Sequence, residues 1–244
     1  MANSLSFEEA SSIFNQPLIS LLDAAHTVHK REFDPNKIQI STLLSIKTGS
    51  CPENCSYCPQ SAHYNTGLKK EPLMEKNKVI ECAEKAKKSG STRFCLGAAW
   101  KSPTDKDLLK VCEMVKEIKK IGLESCVTLG MLKEHQIKML EDAGLDFYNH
   151  NIDTSEEFYN EIITTHSFKD RINTIENVSK SKIKVCCGGI IGMGESNDDR
   201  IKMLLILANL KHQPESVPIN KLIKIKGTPL SDIDDVDIFD IIRV

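Results

Sequence analysis

Three closely spaced cysteines, Cys51, Cys55 and Cys58, are the residues of this sequence best suited to chemistry. Their C-x₃-C-x₂-C pattern is expected roughly 0.01 times by chance in a chain with this cysteine content, so chance does not explain it. Three thiolates with an open fourth position suit an iron–sulfur cluster in which one iron binds a further molecule. The alternative is a structural zinc site, which needs four protein ligands and for which His63 is the nearby fourth candidate.

A second set of cysteines, Cys95, Cys126 and Cys186, falls in three separate predicted strands. Side chains alternate along a strand, so each of these cysteines shares its face with the residues two positions away. The residues so placed are Arg93, Gly97, Glu124, Thr128 and Gly188, and the same alternation groups Asn149, Asn151 and Asp153. If the strands adjoin in a closing barrel, thiols, amides and a carboxylate face one lumen. The alternative is that free cysteines are ordinary core residues, which is our expectation for Cys82, Cys112 and Cys187.

Composition excludes several classes of protein. Lys and Arg number 32 against 34 Asp and Glu, a net charge of −2, so no broad cationic field exists for nucleic acid or an anionic membrane surface. No apolar run approaches the roughly 18 residues of a membrane span, and the first residues lack the pattern of a secretory signal. Nine cysteines without an export signal favour metal or redox chemistry over disulfides, and we expect a cytoplasmic protein.

Hydrophobic periodicity predicts an α/β fold. A helix is predicted over residues 6–31, and the first strand, over 38–46, leads into the loop that carries the three cysteines. Further strands are predicted near 92–99, 123–130, 147–153, 184–191 and 216–223. Helices are predicted near 74–88, 104–121, 133–143, 155–181 with a break, and 197–208. The alternation implies a parallel sheet, with a helical extension at 1–37 and the barrel domain at 38–244.

The cysteine-bearing loop resembles that of the radical S-adenosylmethionine (radical SAM) superfamily. The resemblance rests on the spacing, on aromatic Tyr57 just before the last cysteine, and on the position after the first strand. It implies a 4Fe-4S cluster held by Cys51, Cys55 and Cys58, whose open iron chelates S-adenosylmethionine and whose electron cleaves it to a 5′-deoxyadenosyl radical. The protein then has to place the reactants and exclude water, because such a radical reacts with whatever is nearest.

Five segments of the chain resemble the biotin synthase family. They read CPENCSYCPQSAHYNTG, RFCLGAAWK, YNHNIDTS, CCGGIIGMGE and PESVPINKLIKIKGTPL, and the match runs from the first helix to the end of the chain. The resemblance implies a parallel TIM-type (β/α) barrel and a sulfurtransferase that forms biotin from dethiobiotin. It also implies that Cys95, Cys126 and Cys186 hold a 2Fe-2S cluster whose bridging sulfide is the sulfur inserted.

The same matching implies further site residues. Those expected at S-adenosylmethionine are Tyr57, Asn151, Asp153, Arg171 and Ile190, and those expected at dethiobiotin are Asn151 and Asn220. Arg171 suits a carboxylate because a guanidinium binds it bidentately. A dinucleotide-binding fingerprint is excluded because Asn197 stands where its third glycine belongs. No catalytic residue beyond the clusters is implied, the expected electron donor is a small protein such as flavodoxin, and the expected assembly is a homodimer.

The last residues, 232–244, are predicted to form a helix with acidic residues at its start. Biotin synthases continue with two further strand–helix units, one of which carries an arginine that completes the 2Fe-2S ligand set. We therefore expect a truncated chain with about six of the eight barrel units, inactive by itself in biotin formation. The alternatives are another sulfur-inserting enzyme of the superfamily, such as lipoyl synthase, and a non-catalytic metal-binding fragment.

Overall fold

The computed structural model describes residues 4–244, which form an α/β fold. The strands are β1 (Ser41–Lys47), β2 (Arg93–Ala98), β3 (Glu124–Thr128), β4 (Phe147–Asn149), β5 (Lys184–Cys186), β6 (Gly189–Ile191) and β7 (Ile219–Lys221). The helices are α1 (Phe7–Phe14), α2 (Leu18–Glu32), α3 (Lys76–Lys88), α4 (Asp105–Ile121), α5 (Glu134–Asp142), α6 (Glu156–Ile162), α7 (Phe168–Val178), α8 (Asn197–Asn209) and α9 (Ile238–Arg243). Strands and helices alternate from β1 to β7, apart from the helix pair α6–α7 and the adjacent strands β5–β6.

The sheet is parallel and has the order β1-β2-β3-β4-β5, and β6 pairs in parallel with β7. Isolated bridges from Asp153 to Gly189 and from Cys186 to Ser216 continue the pairing across both sheets. β5 and β6 are therefore consecutive pieces of one predicted strand, and the strands occupy six positions around the lumen. The parallel α/β fold predicted from the sequence is confirmed, and it corresponds to part of a TIM-type barrel.

The amino-terminal segment differs from the sequence prediction. A single helix over residues 6–31 was wrong, because the structure has α1 and α2, with Pro17 at the start of α2. Proline has no backbone N–H for a helical hydrogen bond, and its ring disfavours helical geometry at the preceding residue, Gln16. The chain therefore turns between the two helices.

Strand alternation separates the core from the lumen. Phe94, Leu96 and Val127 are fully buried between the sheet and the helices, while Cys95 and Gly97 on the same β2 strand point to the other face. The helices cover only the outer face of the sheet, so the lumen can hold polar groups. Among residues 4–244, no helix is both long and apolar enough to cross a membrane.

Several helices begin at capping side chains directly after the loops at the strand ends. Thr104 accepts a hydrogen bond from the N–H of Asp107 and so caps α4. Ser155, Ser167 and Ser196 cap α6, α7 and α8 in the same way. These caps satisfy N–H groups that have no partner inside the helix, and they fix where each site loop ends.

Candidate functional site

A cavity of about 300 Å³ opens at the carboxyl ends of the first four strands. The sequence-predicted site residues that line it are Cys51, Cys55, Tyr57, Cys58, Asn151, Asp153 and Arg171. They come from the loop after β1, the end of β4 and helix α7. The structure thus brings together residues that are up to 120 positions apart in the chain.

The cysteine loop, residues 49–63, is folded back on itself. Gly49 and Ser50 turn the chain with positive φ angles of 73° and 54°. The Cys51 N–H donates to the Gln60 carbonyl at 2.9 Å, and the Ala62 N–H donates to the Cys51 carbonyl at 2.7 Å. This closure returns the end of the loop to its start, so that all three thiols line one cavity.

The three thiols of the cysteine loop suit a metal cluster. All of them are free, and burial raises the pKa of each, that of Cys55 to about 12. The raised pKa values favour the thiol form of the free side chains, and a bound metal centre would displace these protons. Soft thiolate donors select iron–sulfur clusters, zinc or copper(I).

The zinc alternative requires His63 as a fourth ligand beside the three thiols. Within residues 4–244, no group of three His, Cys, Asp or Glu side chains lies close enough to hold one metal ion. The His63 ring lies on the exposed side, with Nε2 3.0 Å from the Pro52 carbonyl oxygen. His63 is not among the residues that line the cavity with the three thiols, where a fourth zinc ligand would have to lie.

The carboxylate of Asp153 joins the cysteine loop to α7. Its Oδ2 accepts a hydrogen bond from the Tyr57 hydroxyl at 2.9 Å and pairs with Arg171 Nη2 at 2.8 Å. Arg171 Nε also donates to the Tyr159 hydroxyl at 2.9 Å. Burial and the Asp153 charge raise the pKa of Tyr57, and for Arg171 the nearby negative charge outweighs burial and raises its pKa. Tyr57 therefore stays a hydrogen-bond donor and Arg171 stays a cation.

A second carboxylate, Glu53, ties the cysteine loop to the segment between α6 and α7. It accepts hydrogen bonds from Thr165 and His166 and forms an ion pair with Lys101 at 3.1 Å. Burial would raise the pKa of Glu53, but these three partners outweigh it and lower the pKa. Sequence reasoning missed this set. The charged residue inside the cysteine motif was the available signal.

The strand cysteines lie deeper in the lumen than the cavity. Cys95 and Cys126 stand two positions before Gly97 and Thr128, which line the cavity. Cys95 and Cys126 are register partners across β2 and β3, and Cys126, Cys186 and Phe147 pack as one buried cluster against Cys95. Asn149 Nδ2 lies 3.3 Å from Cys186 Sγ. The hydrogen bond between the two thiols raises the pKa of Cys126, which burial raises further, and lowers that of Cys95. Three thiols from three strands therefore share one site.

Other cysteines have core environments. Cys187 is fully buried and points to the outer layer, opposite Cys186. Cys112 Sγ on α4 lies 3.5 Å from the Met139 carbonyl oxygen on α5, and Cys82 packs against the same core. The structure places these three cysteines away from the lumen.

His150 is a cavity residue that sequence reasoning did not single out. It is 4% exposed, and its Nε2 is one of two buried side-chain atoms within residues 4–244 that have no hydrogen-bond partner. Burial and then the charge of Arg171 lower the pKa of His150, so the ring is neutral. A neutral ring nitrogen at the cavity wall is able to bind a polar ligand.

Two predicted site residues, Ile190 and Asn220, do not line the cavity. They are register partners on β6 and β7, where Ile190 is half-buried and Asn220 is exposed. Ile190 is nevertheless close to the site, because its N–H donates to the Asp153 carbonyl at 2.8 Å. The following turn is held by Glu195, whose carboxylate accepts from the Met193 N–H at 2.7 Å and pairs with Arg200 at 2.8 Å.

Comparisons with known proteins agree with this arrangement. The family model described as the radical SAM superfamily matches residues 45–208. The chain is 65% identical over 238 residues to a biotin synthase of Rickettsia felis, covering 98% of this chain and 77% of the relative. It is 62% identical to a biotin synthase of Lawsonia intracellularis, covering 100% of this chain and 77% of the relative.

A solved structure has a similar fold. The crystal structure of methylornithine synthase superposes with a TM-score of 0.81, covering 98% of this chain and 70% of that chain. The two sequences are only 19% identical, so the similarity concerns the fold alone.

Proposed function

The chain belongs to the biotin synthase family of the radical SAM superfamily, and we propose that it inserts sulfur into dethiobiotin at the cavity behind the cysteine loop. The single observation that carries the proposal is the position of two cysteine sets along one lumen. Cys51, Cys55 and Cys58 line the cavity, and Cys95, Cys126 and Cys186 meet one step deeper. A radical source and a sulfur source would thereby lie on either side of the space for the substrate.

The cysteine loop would hold the 4Fe-4S cluster through Cys51, Cys55 and Cys58. When bound and reduced, that cluster would supply the electron for cleavage of S-adenosylmethionine to methionine and a 5′-deoxyadenosyl radical, which would abstract hydrogen from dethiobiotin. The chain's own residues orient the reactants and keep water out. The loop closure and the Glu53 contacts support a preformed ligand set.

The residues around Asp153 would bind S-adenosylmethionine. Asp153 and Asn151 offer oxygen acceptors for the ribose hydroxyls, and Arg171 offers a cation for the carboxylate. Burial of Asp153 at 1% exposure and its bond from Tyr57 support a fixed orientation. Ile190 would contact the adenine, a role supported by the hydrogen bond of its backbone to Asp153.

The deeper cysteines would hold the 2Fe-2S cluster that provides the sulfur. Their thiol–thiol contact and their packing in one cluster support this role, because cysteines from three strands come together in the lumen. Dethiobiotin would lie between the two cysteine sets, with its ring held by Asn151 and Asn220. Gly97 and Thr128, two positions beyond Cys95 and Cys126, line the cavity and leave room there.

The proposal extends to the partners and the compartment. The electrons would come from a small electron-transfer protein such as flavodoxin. The enzyme would act as a homodimer in the cytoplasm.

Cysteine variants test the proposal. We would reconstitute the chain anaerobically with iron and sulfide, and then measure bound iron, acid-labile sulfide, zinc and reductant-dependent formation of 5′-deoxyadenosine. Cys58→Ala should lose the radical-forming activity, whereas Cys126→Ala should keep it and lose only the iron of the second cluster. Cys82→Ala is the matched control and should keep both. Zinc binding without sulfide, or 5′-deoxyadenosine formation by Cys58→Ala, would contradict the proposal.

A further inference from the structure

A group of four side chains lies at and below the level of the strand cysteines, which we call the cysteine layer. This group, the base layer, consists of Arg93, Glu124 and Lys184, two positions before Cys95, Cys126 and Cys186, and of Phe147, the register partner of both Cys126 and Lys184. Positions that differ by two face the same side of a strand, so the base layer closes the amino-terminal end of the lumen. Among its charged members Arg93 is buried, whereas Glu124 is half-buried and Lys184 is exposed.

Arg93 is held in this layer from two directions. Its Nε and Nη2 donate to Glu124 Oε2 at 3.1 and 3.0 Å. Its guanidinium carbon lies 3.5 Å from the centre of the Phe147 ring, and Phe147 packs against Cys126 and Cys186. Only one aromatic ring therefore lies between the cation and the thiols on that side.

The two charges of the Arg93–Glu124 pair are unequally buried. The Arg93 side chain is 7% exposed and that of Glu124 is 39% exposed. Water screens the carboxylate more than the guanidinium, so the field of the pair at the thiols has the sign of Arg93. Lys184, whose Nζ lies 5.3 Å from the centre of the same ring, adds a further positive charge.

A cluster bound by these three thiolates, two of them buried, needs a nearby positive charge. Two ferric irons, two sulfides and three thiolates sum to a negative charge, and a buried charge without a counter-charge is costly. We propose that Arg93 is the counter-charge of the second iron–sulfur centre and that Glu124 positions its guanidinium. The inference depends on the 2Fe-2S centre of the proposed function and extends it to how that centre is stabilised and tuned.

Arg93 stands two positions before Cys95 on β2 and faces the same side of that strand. The field of a nearby cation favours the reduced cluster over the oxidised one, because reduction adds negative charge.

Redox titration of the second centre tests the inference. The reconstituted chain and the variants Arg93→Met, Arg93→Lys and Glu124→Gln would be titrated anaerobically and followed by absorption and electron paramagnetic resonance. Arg93→Met should shift the reduction potential of the second centre to more negative values, and Arg93→Lys should restore most of it. Glu124→Gln should shift the potential the opposite way, because it removes a negative charge. Lys138→Met, on the exposed surface of α5, is the control and should leave the potential unchanged.

The outcomes separate this inference from the proposed function. A wild-type chain that binds only the iron of the first cluster overturns both. A second centre whose potential is the same in wild type, Arg93→Met and Glu124→Gln overturns the counter-charge inference alone. If Arg93→Met fails to fold or to retain the centre, the sign of the Glu124→Gln shift decides, and a negative shift or none overturns the inference.

Discussion

The Tyr57 hydroxyl donates a hydrogen bond of 2.9 Å to Oδ2 of Asp153, and so connects the cysteine loop to the residue that bridges to β6. Arg171 binds the same oxygen at 2.8 Å. Asp153 has a positive φ of 69°, which is uncommon for a residue other than glycine and marks a position fixed by its surroundings. The loop and the cavity wall are therefore one connected unit.

Removing the Tyr57 hydroxyl should weaken this connection. A hydrogen bond to a carboxylate contributes about 2 kcal/mol, so Tyr57→Phe should lower the melting temperature by roughly 4–8 °C for a chain of this size. The control is Tyr64→Phe, which removes a bond to the neutral Asn54 carbonyl in the same loop and should cost about half as much. Calorimetry of the cluster-free chain measures both, and equal shifts would contradict a special role for Asp153.

Breaking the buried ion pair between Arg171 and Asp153 should lower the free energy of unfolding more than removing both charges does. Arg171→Met leaves the buried Asp153 carboxylate without its cation and should lower the free energy of unfolding by roughly 3–5 kcal/mol. Asp153→Asn in the same chain removes the orphaned charge and should recover part of that loss. Urea unfolding of the two single variants and the double variant measures the coupling. Strictly additive losses would show that the two side chains act independently.

Glu53 should control how firmly the cysteine loop is held. Glu53→Gln keeps the volume but removes the charge that binds His166 and Lys101, so the loop should open more often. If the free energy that holds the loop closed falls by about 1.4 kcal/mol, iron should pass from the reconstituted cluster to a chelator roughly tenfold faster. Glu71→Gln, an exposed change just beyond the loop, is the control. Equal release rates in all three proteins would contradict a role for Glu53.

Asp146 should contribute a pH-dependent part of the stability. Burial would raise its pKa, but Lys119 and the Ser125 hydrogen bonds outweigh burial and lower it from the ordinary 3.8. A lowered native pKa stabilises the fold above the ordinary value, and this contribution is lost as the pH falls through the native value.

The matched variant for this pH effect is Asp146→Asn. Unfolding free energies measured from pH 7 to pH 2 should show the wild type more stable at neutral pH. The difference should shrink below about pH 4, where the free carboxyl begins to be protonated. If the difference in unfolding free energy between the wild type and Asp146→Asn is the same at every pH, the pKa of Asp146 is not lowered in the folded protein.

The order of strands and helices was predictable because its signals are local. Alternation with a period of two or of about 3.6 residues depends only on neighbours, so most predicted spans lie within a few residues of the observed ones. The errors also have local causes. Pro17 splits the first helix, and Cys187 and Gly188 interrupt the fifth predicted strand between β5 and β6.

The cysteine spacing and the resemblance it supports were determined by the sequence alone, because three ligands within eight residues of one another need no fold to be recognised. Only the tertiary structure decided which distant groups complete the site. Glu53 meets Thr165 and His166 across more than 110 residues, and Arg93 contacts Glu124 and the Phe147 ring only because the strands adjoin in this register. Such contacts depend on crossover connections and strand register, and no local pattern encodes the distance between two loops or two lumen layers.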